Sequence, residues 1–354
     1  MKHLLDITDL SLKEIDSLVG LAEKIMSDRK AYARALEGKT LATLFFEPST
    51  RTRLSFEAAM LELGGRVLGF SSADSSSTAK GETVGDTARV VSCFADVIAM
   101  RHPKDGAAWA AAKRSRVPVV NAGDGGHCHP TQTLTDLVTI HAEKGRLDKL
   151  RVGIVGDLKY GRTVHSLLNA LLRYDGNSFV LISPEELRLP EYMKKAIEQK
   201  GAETVETTSL SEYMPSLDVL YMTRIQRERF PDADEYERLK DSYVLTREKL
   251  RQTKEDMIVL HPLPRVNEIA TDVDDDRRAR YFEQVGYGKF ARMALLLSLL
   301  KNVDEKNDFV LKGARTEKIC PNARCVTNAE PSLEKMSFSD DGAERCSYCE
   351  TALD

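Results

Sequence analysis

Apolar runs of four to six residues recur along the chain at 41–46, 67–70, 97–100, 117–120, 152–155, 179–182, 219–222 and 257–260, and amphipathic stretches separate most of them. A run this short, bounded by turn residues and repeated between helical patterns, reads as a strand buried on both faces of a parallel sheet. The pattern predicts two doubly wound α/β domains built on parallel sheets. Ser11 followed by Glu14 is a capping-box signature, and Leu12, Ile15, Val19, Ala22 and Met26 recur on one face, which predicts a helix there. Pro130 at a first-turn position opens a helix over 130–144 that bridges the two domains. A very apolar helix over 290–300 packs back onto one of them. The expected division is residues 1–130, completed by the helix 286–301, then 131–285, then a linker and small module over 302–354.

Bulk properties exclude several classes. A length of 354 residues exceeds what one core usually serves. With 42% apolar and 30% charged residues the chain is globular. A net charge of -4 and the absence of a long Lys/Arg run argue against nucleic acid as a partner. The most apolar stretch, 293–300, is far shorter than the roughly 20 residues a membrane helix needs, so no membrane span is expected. The first sixteen residues, MKHLLDITDLSLKEID, acquire acids at once and lack a signal-peptide pattern, which makes the cytoplasm the default compartment.

In open parallel sheets ligands bind beyond the carboxyl ends of the strands. The segments just past the predicted strands are 47–53, 101–103, 121–129, 157–162, 224–226 and 261–265, and five of the six contain arginine, which a random surface would seldom provide. Ser49-Thr50-Arg51-Thr52-Arg53 follows a strand and opens a helix, so hydroxyls, backbone N–H groups, the helix dipole and an arginine fork can face one anion. A capping Ser or Thr beside two solvated arginines is the plainer alternative. Arg162 and Arg224 each follow a strand; they suit two carboxylates, or a pair of structural salt bridges. His129 before Pro130 is either a site residue or a helix cap. The loop 72–81, rich in small residues and ending in Lys80-Gly81, reads by itself as a mobile surface loop. Gly153, Gly156 and Asp157 invite a dinucleotide reading, but the full glycine pattern is missing and the acid would repel a pyrophosphate.

Six cysteines are present. Cys320 and Cys325, then Cys346 and Cys349, form two close pairs that suit a closed tetrahedral zinc site, with two disulfides or a metal-free redox quartet as the alternative. Cys93 is expected to be buried filler in an apolar helix. Cys128 beside His129 has the look of a nucleophile that the chemistry below does not require.

The segment FFEPSTRTRLSFE resembles the carbamoyl phosphate motif of the aspartate and ornithine carbamoyltransferase family. MRHPKDG, NAGDGGHCHPTQTLTDL, GDLKYGRTVHSL, YMTRIQRER and VLHPLPRVNEIATDVD are similar to its other motifs in the same order, together covering about 41–300. HPLPR and the Lys80 loop favour the aspartate branch, because the ornithine branch typically carries cysteine at the place of Pro262. The resemblance implies that Ser49, Thr50, Arg51 and Thr52 cradle the phosphate of carbamoyl phosphate. It places Thr52, Arg101 and His129 at the carbonyl oxygen, where amine attack builds negative charge. Gln132 holds the carbamoyl NH2, while Arg162, Arg224 and Gln226 take L-aspartate. The backbone carbonyls of Pro262 and Leu263 accept from the substrate amine, and Arg265 ties this loop to the site. Ser76 and Lys80 reach into a neighbouring subunit's site, so a homotrimer with shared sites is expected. Catalysis needs no cofactor.

The tail ICPNARCVTNAEP…CSYCE resembles the zinc module of the regulatory chain that accompanies the catalytic chain in this family. The nucleotide-binding domain that precedes the module there is absent here, so nucleotide control does not follow. The expectation is a structural Zn2+ and a tail that stabilises contacts between catalytic subunits, up to a higher oligomer. A carbamoyltransferase for another amine, and a non-catalytic scaffold, are the competing readings.

Overall fold

A computed structural model describes residues 2–73, 80–225, 234, 236–237, 243–301, 307–340 and 342–353. It divides into two compact units, Met1–Leu134 with Lys289–Asp354, and Thr135–Gly288.

The first unit holds β1 (Thr40–Phe45), β2 (Arg66–Phe70), β3 (Val97–His102) and β4 (Val119–Asp124) in one parallel sheet of order β2-β1-β3-β4. Helices α1 (Leu12–Ser27), α2 (Thr50–Glu62), α3 (Val84–Val91) and α4 (Ala107–Arg114) belong to it. At the start of α1 the Glu14 N–H donates to Ser11 Oγ and the Ser11 N–H donates to Glu14 Oε2, the reciprocal cap the sequence signals. Its buried stripe is Ile15, Leu18, Val19, Ala22 and Ile25. The central strand β1 places Leu41, Ala42, Leu44 and Phe45 almost wholly inside, as a strand covered on both faces must.

The second unit holds β5 (Arg151–Val155), β6 (Ser178–Ile182), β7 (Thr204–Thr207), β8 (Val219–Met222) and β9 (Ile258–Leu260), parallel and in the order β7-β6-β5-β8-β9. Seven predicted strands fall within two residues of their observed limits, and the eighth, read at 117–120, runs on to Asp124. Within these two sheets the strand missed is β7, whose Thr-Val-Glu-Thr contains no apolar run; an edge strand needs none. Helices α5 (Pro130–Lys144), α6 (Arg162–Leu171) and α7 (Glu191–Gln199) follow. Helix α5 and the long helix Tyr281–Leu300 each cross from one unit to the other along the chain. The latter begins earlier than its apolar half suggests, because its first turns carry polar residues such as Glu283 and Gln284.

One expectation is corrected. Cys93 lies just past α3 in a turn and is exposed, not buried in a helix. Helix α3 closes at Val91, with Ser92 as its last capping residue.

The tail adds a three-stranded antiparallel sheet of β10 (Ala314–Arg315), β11 (Met336–Asp340) and β12 (Ala343–Cys346). Its Cys320, Cys325, Val326, Cys346, Tyr348, Cys349 and Leu353 share one apolar core with Val84 and Ala88 of α3 and with Ala107, Ala108, Ala110 and Ala111 of α4. A helix whose buried face is alanine lets a second layer approach closely, which is why the composition of α4 suits a docked module. The tail is therefore part of the first unit's core.

Candidate active site and metal centre

In each sheet the strand order reverses once, between β1 and β3 and between β5 and β8, and ligands of open α/β sheets bind beyond the carboxyl ends of strands at such points. In the first unit Phe45 pairs with Arg101, and the Phe46 N–H donates to the Arg101 carbonyl at 2.9 Å, so the segments leaving β1 and β3 are adjacent. His102 pairs with Asp124, which brings the loop after β4 beside them. Sequence separation is thereby removed from Ser49–Arg53, Arg101 and the loop that ends at His129.

Ser49 precedes α2 without using its side chain as a cap, leaving its hydroxyl uncommitted to the helix it opens. Thr50 and Arg51 are exposed, whereas Thr52 is buried. Arg101 forms an ion pair with Glu47, Nε to Oε1 2.8 Å, and its two terminal nitrogens have no partner among the described residues. A mostly buried guanidinium with its outer fork unengaged is suited to an anion or a polarised carbonyl. His129 is buried, 3.4 Å from Thr131 Oγ1 through Nδ1, and its carbonyl accepts from the Gln132 N–H as α5 begins. Burial pushes the neighbouring His102 down to about 4, so that ring is neutral at ordinary pH, and its Nδ1 accepts the Lys104 N–H at 3.0 Å.

In the second unit Arg162 is the first residue of α6 and Arg224 follows β8; both are partly buried. The loop after β9 is held by a chain of buried polar groups. The Leu263 N–H donates to His261 Nδ1 at 2.7 Å, so the proton sits on Nε2, which faces Glu268 Oε1 at 2.7 Å. The His261 N–H donates to Gln284, and Gln284 Nε2 donates to Asp136 Oδ1 at 2.6 Å. Tyr221 donates to the other oxygen of Asp136 at 3.0 Å. Burial lowers the basicity of His261, as do the nearby Arg265 and Arg224 cations, against the pull of Glu268. Leu263 has φ of 55°, a left-handed backbone that costs a non-glycine residue on the order of 1–3 kcal/mol and persists only where the surroundings enforce it. Arg265 is spent on the loop itself: it pairs in bidentate fashion with Asp274 and reaches Tyr281 Oη at 3.2 Å.

Lys80 is exposed. Ser76 and Gln226 lie outside the described residues. Residues missed in the sequence are His261 and Glu268 as loop supports, and Asp105, Asp124 and His127 around the turn before His129. All lie inside the quoted motifs, but their roles depend on partners far away in sequence.

The four tail thiols converge, with every pair of Sγ atoms within 4.8 Å. Cys320 and Cys349 are 3.5 Å apart and Cys325 and Cys346 3.8 Å. A disulfide needs about 2.05 Å; a tetrahedron of Zn–S bonds near 2.3 Å puts sulfurs roughly 3.8 Å apart. The spacing fits a metal and excludes the two-disulfide alternative. Burial pushes the Cys320 thiol up to about 12, and Cys325 is raised chiefly by donating to Cys346. Cys349, which receives hydrogen bonds from Cys325 and Cys346, is depressed far below the usual thiol range. Four buried thiols ionise together only around a cation, which is what this donor set supplies a place for. A second group, Asp124, His127 and Cys128, also draws together. Asp124 there already accepts from Gly106, Asn121 and Cys128 and faces His127 Nδ1 at 3.1 Å, so the cluster is a loop scaffold.

Residues 2–142 match the carbamoyl-P binding domain of the aspartate/ornithine carbamoyltransferase family, and 148–299 its Asp/Orn binding domain. The chain belongs to that family. Residues 318–354 match the metal binding domain of the aspartate carbamoyltransferase regulatory chain. The aspartate carbamoyltransferase catalytic subunit of Lachnoclostridium phytofermentans is 60% identical over 307 residues, 86% of this chain and all of that protein. That of Clostridium kluyveri is 58% identical over 84% of this chain and 98% of its own length. The solved catalytic subunit of the M. jannaschii aspartate transcarbamoylase superposes with a TM-score of 0.81 at 49% identity, covering 86% of this chain and all of that one. The Trypanosoma cruzi aspartate transcarbamoylase, solved with carbamoyl phosphate and aspartate, gives 0.80 at 40% identity, over 84% of this chain and 96% of its own. The described residues contain no helix long and apolar enough to cross a membrane.

Proposed function

We infer that this chain transfers the carbamoyl group of carbamoyl phosphate to the amine of L-aspartate, yielding N-carbamoyl-L-aspartate and phosphate, a step of pyrimidine biosynthesis. The observation that carries the reading is cationic chemistry at both switch points: Arg51 and Arg101 beyond β1 and β3, Arg162 and Arg224 beyond β5 and β8. One set suits a phosphorylated acid amide, the other a diacid.

In this reading Ser49, Thr50, Arg51 and Thr52 hold the phosphate at the start of α2, where N–H groups and helix dipole add to the arginine fork. Thr52, Arg101 and His129 stabilise the carbonyl oxygen as the aspartate nitrogen attacks, and Gln132 orients the carbamoyl NH2. Arg162, Arg224 and Gln226 grip the two carboxylates, and the Pro262 and Leu263 carbonyls accept from the amine. The new C–N bond forms, the C–O bond to phosphate breaks, and the departing phosphate carries off the amine proton. Donors fixed where charge develops supply the largest rate term, about 100-fold or more for each donor lost. Ser76 and Lys80 complete a neighbouring site within a homotrimer. The metal is Zn2+, held by Cys320, Cys325, Cys346 and Cys349 in a structural role. The enzyme works in the cytoplasm.

The test is phosphate release from carbamoyl phosphate with aspartate or with ornithine. Turnover is expected with aspartate only; none with either ends the reading, and preference for ornithine assigns the other branch. A bisubstrate mimic bearing a phosphonate and a dicarboxylate is expected to bind the wild type tightly and to lose affinity in both Arg51→Ala and Arg224→Ala.

A further inference from the structure

Both thiol pairs of the metal module flank segments that contact Asp105, Gly106 or His127, the residues that hold the loop ending at His129. The first pair brackets residues 321–324. From this stretch Asn322 Nδ2 donates to Asp105 Oδ2 at 2.8 Å and the Arg324 carbonyl accepts the Asp105 N–H at 3.0 Å. Just past Cys325, the Val326 N–H donates to the Asp105 carbonyl at 2.9 Å. The other carboxylate oxygen of Asp105 accepts the Gly126 N–H at 2.7 Å. Asp105 is only 5% exposed, so its two oxygens are shared between the module and the loop with little help from water. Gly125 is pressed against the same carboxylate: a Cβ there would fall 1.8 Å from Asp105 Oδ1, and φ is +48°.

The second pair brackets Tyr348, whose backbone lies so close to Gly106 that a Cβ on that glycine would fall 2.6 Å from the Tyr348 carbonyl oxygen. The Gly106 N–H donates to Asp124 Oδ2 at 2.7 Å, and Asp124 Oδ1 accepts the Cys128 N–H at 3.1 Å, one residue before His129. Glu350, next to Cys349, reaches within 3.9 Å of His127 Nε2, while His127 Nδ1 faces Asp124 at 3.1 Å. The loop Asp-Gly-Gly-His-Cys-His carries no large apolar side chain of its own, and these polar contacts hold it together with the His127 ring against Trp109, centroids 4.9 Å apart, and the Cys128 thiol on Asp6 at 2.8 Å.

We propose that Asp105, bridged to Asn322, couples metal occupancy of the four-cysteine module to the position of the His129 loop, making Asp105 and Asn322 positioning residues for carbamoyl transfer. The catalytic part of this proposal rests on the function inferred above; the coupling itself does not. With metal bound, the two thiol pairs are clamped, and Asn322 and Tyr348 hold 105–106 against the loop. With metal lost, Asp105 keeps Gly126 but loses its outer partner, a buried carboxylate deprived of one hydrogen bond.

The experiment uses the full chain with its metal, comparing wild type, Asn322→Ala, Asp105→Asn and chelator-treated wild type. Bound metal is counted, amide exchange is followed over 121–129 by mass spectrometry, and kcat and KM are measured for both substrates. Asn322→Ala is expected to keep its metal, to exchange the 125–128 amides about tenfold faster, and to lose about tenfold in kcat with KM for aspartate nearly unchanged, as misplacement of a catalytic group predicts. Chelation should reproduce the exchange pattern in wild type and re-added zinc should reverse it, whereas zinc should not correct Asn322→Ala. Asp105→Asn should release metal to a chelator faster than wild type. Metal-loaded Asn322→Ala with wild-type exchange and wild-type kcat overturns the proposal, even if the chelated chain unfolds. Wild type that releases no phosphate would remove the assigned reaction, while the exchange data would still decide the coupling.

Discussion

His261 Nε2 lies 2.7 Å from Glu268 Oε1, and both side chains are almost closed to solvent. The pair fixes which ring nitrogen is bare, and that nitrogen holds the Leu263 N–H. Glu268→Ala is expected to release the ring and lower kcat/KM for aspartate by about 100-fold, the scale of a misplaced binding group. Carbamoyl phosphate binding, measured by calorimetry, should be unchanged, since its proposed ligands lie in the other unit. Equal loss of both affinities would refute the assignment of this loop to aspartate.

Gly106 has φ of +83° and no room for a side chain beneath Tyr348. Gly106→Ala combines left-handed strain with a backbone clash and should cost about 2–4 kcal/mol. Thermal unfolding should shift down and metal release to a chelator should quicken. A stable variant with wild-type metal retention would show that the module is not seated on α4 in solution.

His102 has its pKa depressed to about 4 by burial. Between about 4 and the unfolded value near 6.5 the unfolded chain binds a proton that the folded chain does not, so this contribution is complete above pH 6.5 and is lost on acidification towards 4. Across that window the loss amounts to about 3 kcal/mol at most. His102→Asn, which keeps an acceptor for the Lys104 N–H, should flatten the pH dependence of unfolding free energy there. An identical slope in both proteins would show that His102 is not the titrating group.

Lys80 is exposed, with no ion pair among the described residues. If it serves a neighbouring subunit, Lys80→Ala and Arg51→Ala chains should each be nearly inactive alone. Mixed after dissociation, they should regain activity at those sites built from one intact half of each. No recovery in any mixing ratio, with mixed oligomers verified by mass spectrometry, would argue against shared sites.

Much of this architecture is legible from residue order. Buried parallel strands have to be short apolar runs, and so Thr40–Phe45 through Ile258–Leu260 announce themselves. Edge strand β7 does not, because one exposed side removes the need for an apolar run. Cys93 misleads because its apolar neighbours, Val90 and Val91 before it and Phe94 after, look like a continuing helix; in fact Val90 and Phe94 are exposed.

Strand positions, the strand-end arginines and the two thiol pairs follow from sequence because each is a local pattern with a period or spacing. What only tertiary structure decided is where the metal module lies and what it touches. Asp105 meets Asn322 across 217 residues, and Gln284 meets Asp136 across 148. Such partners carry no mutual signal along the chain, since a hydrogen bond depends on distance and direction in space and the fold alone brings its two ends together.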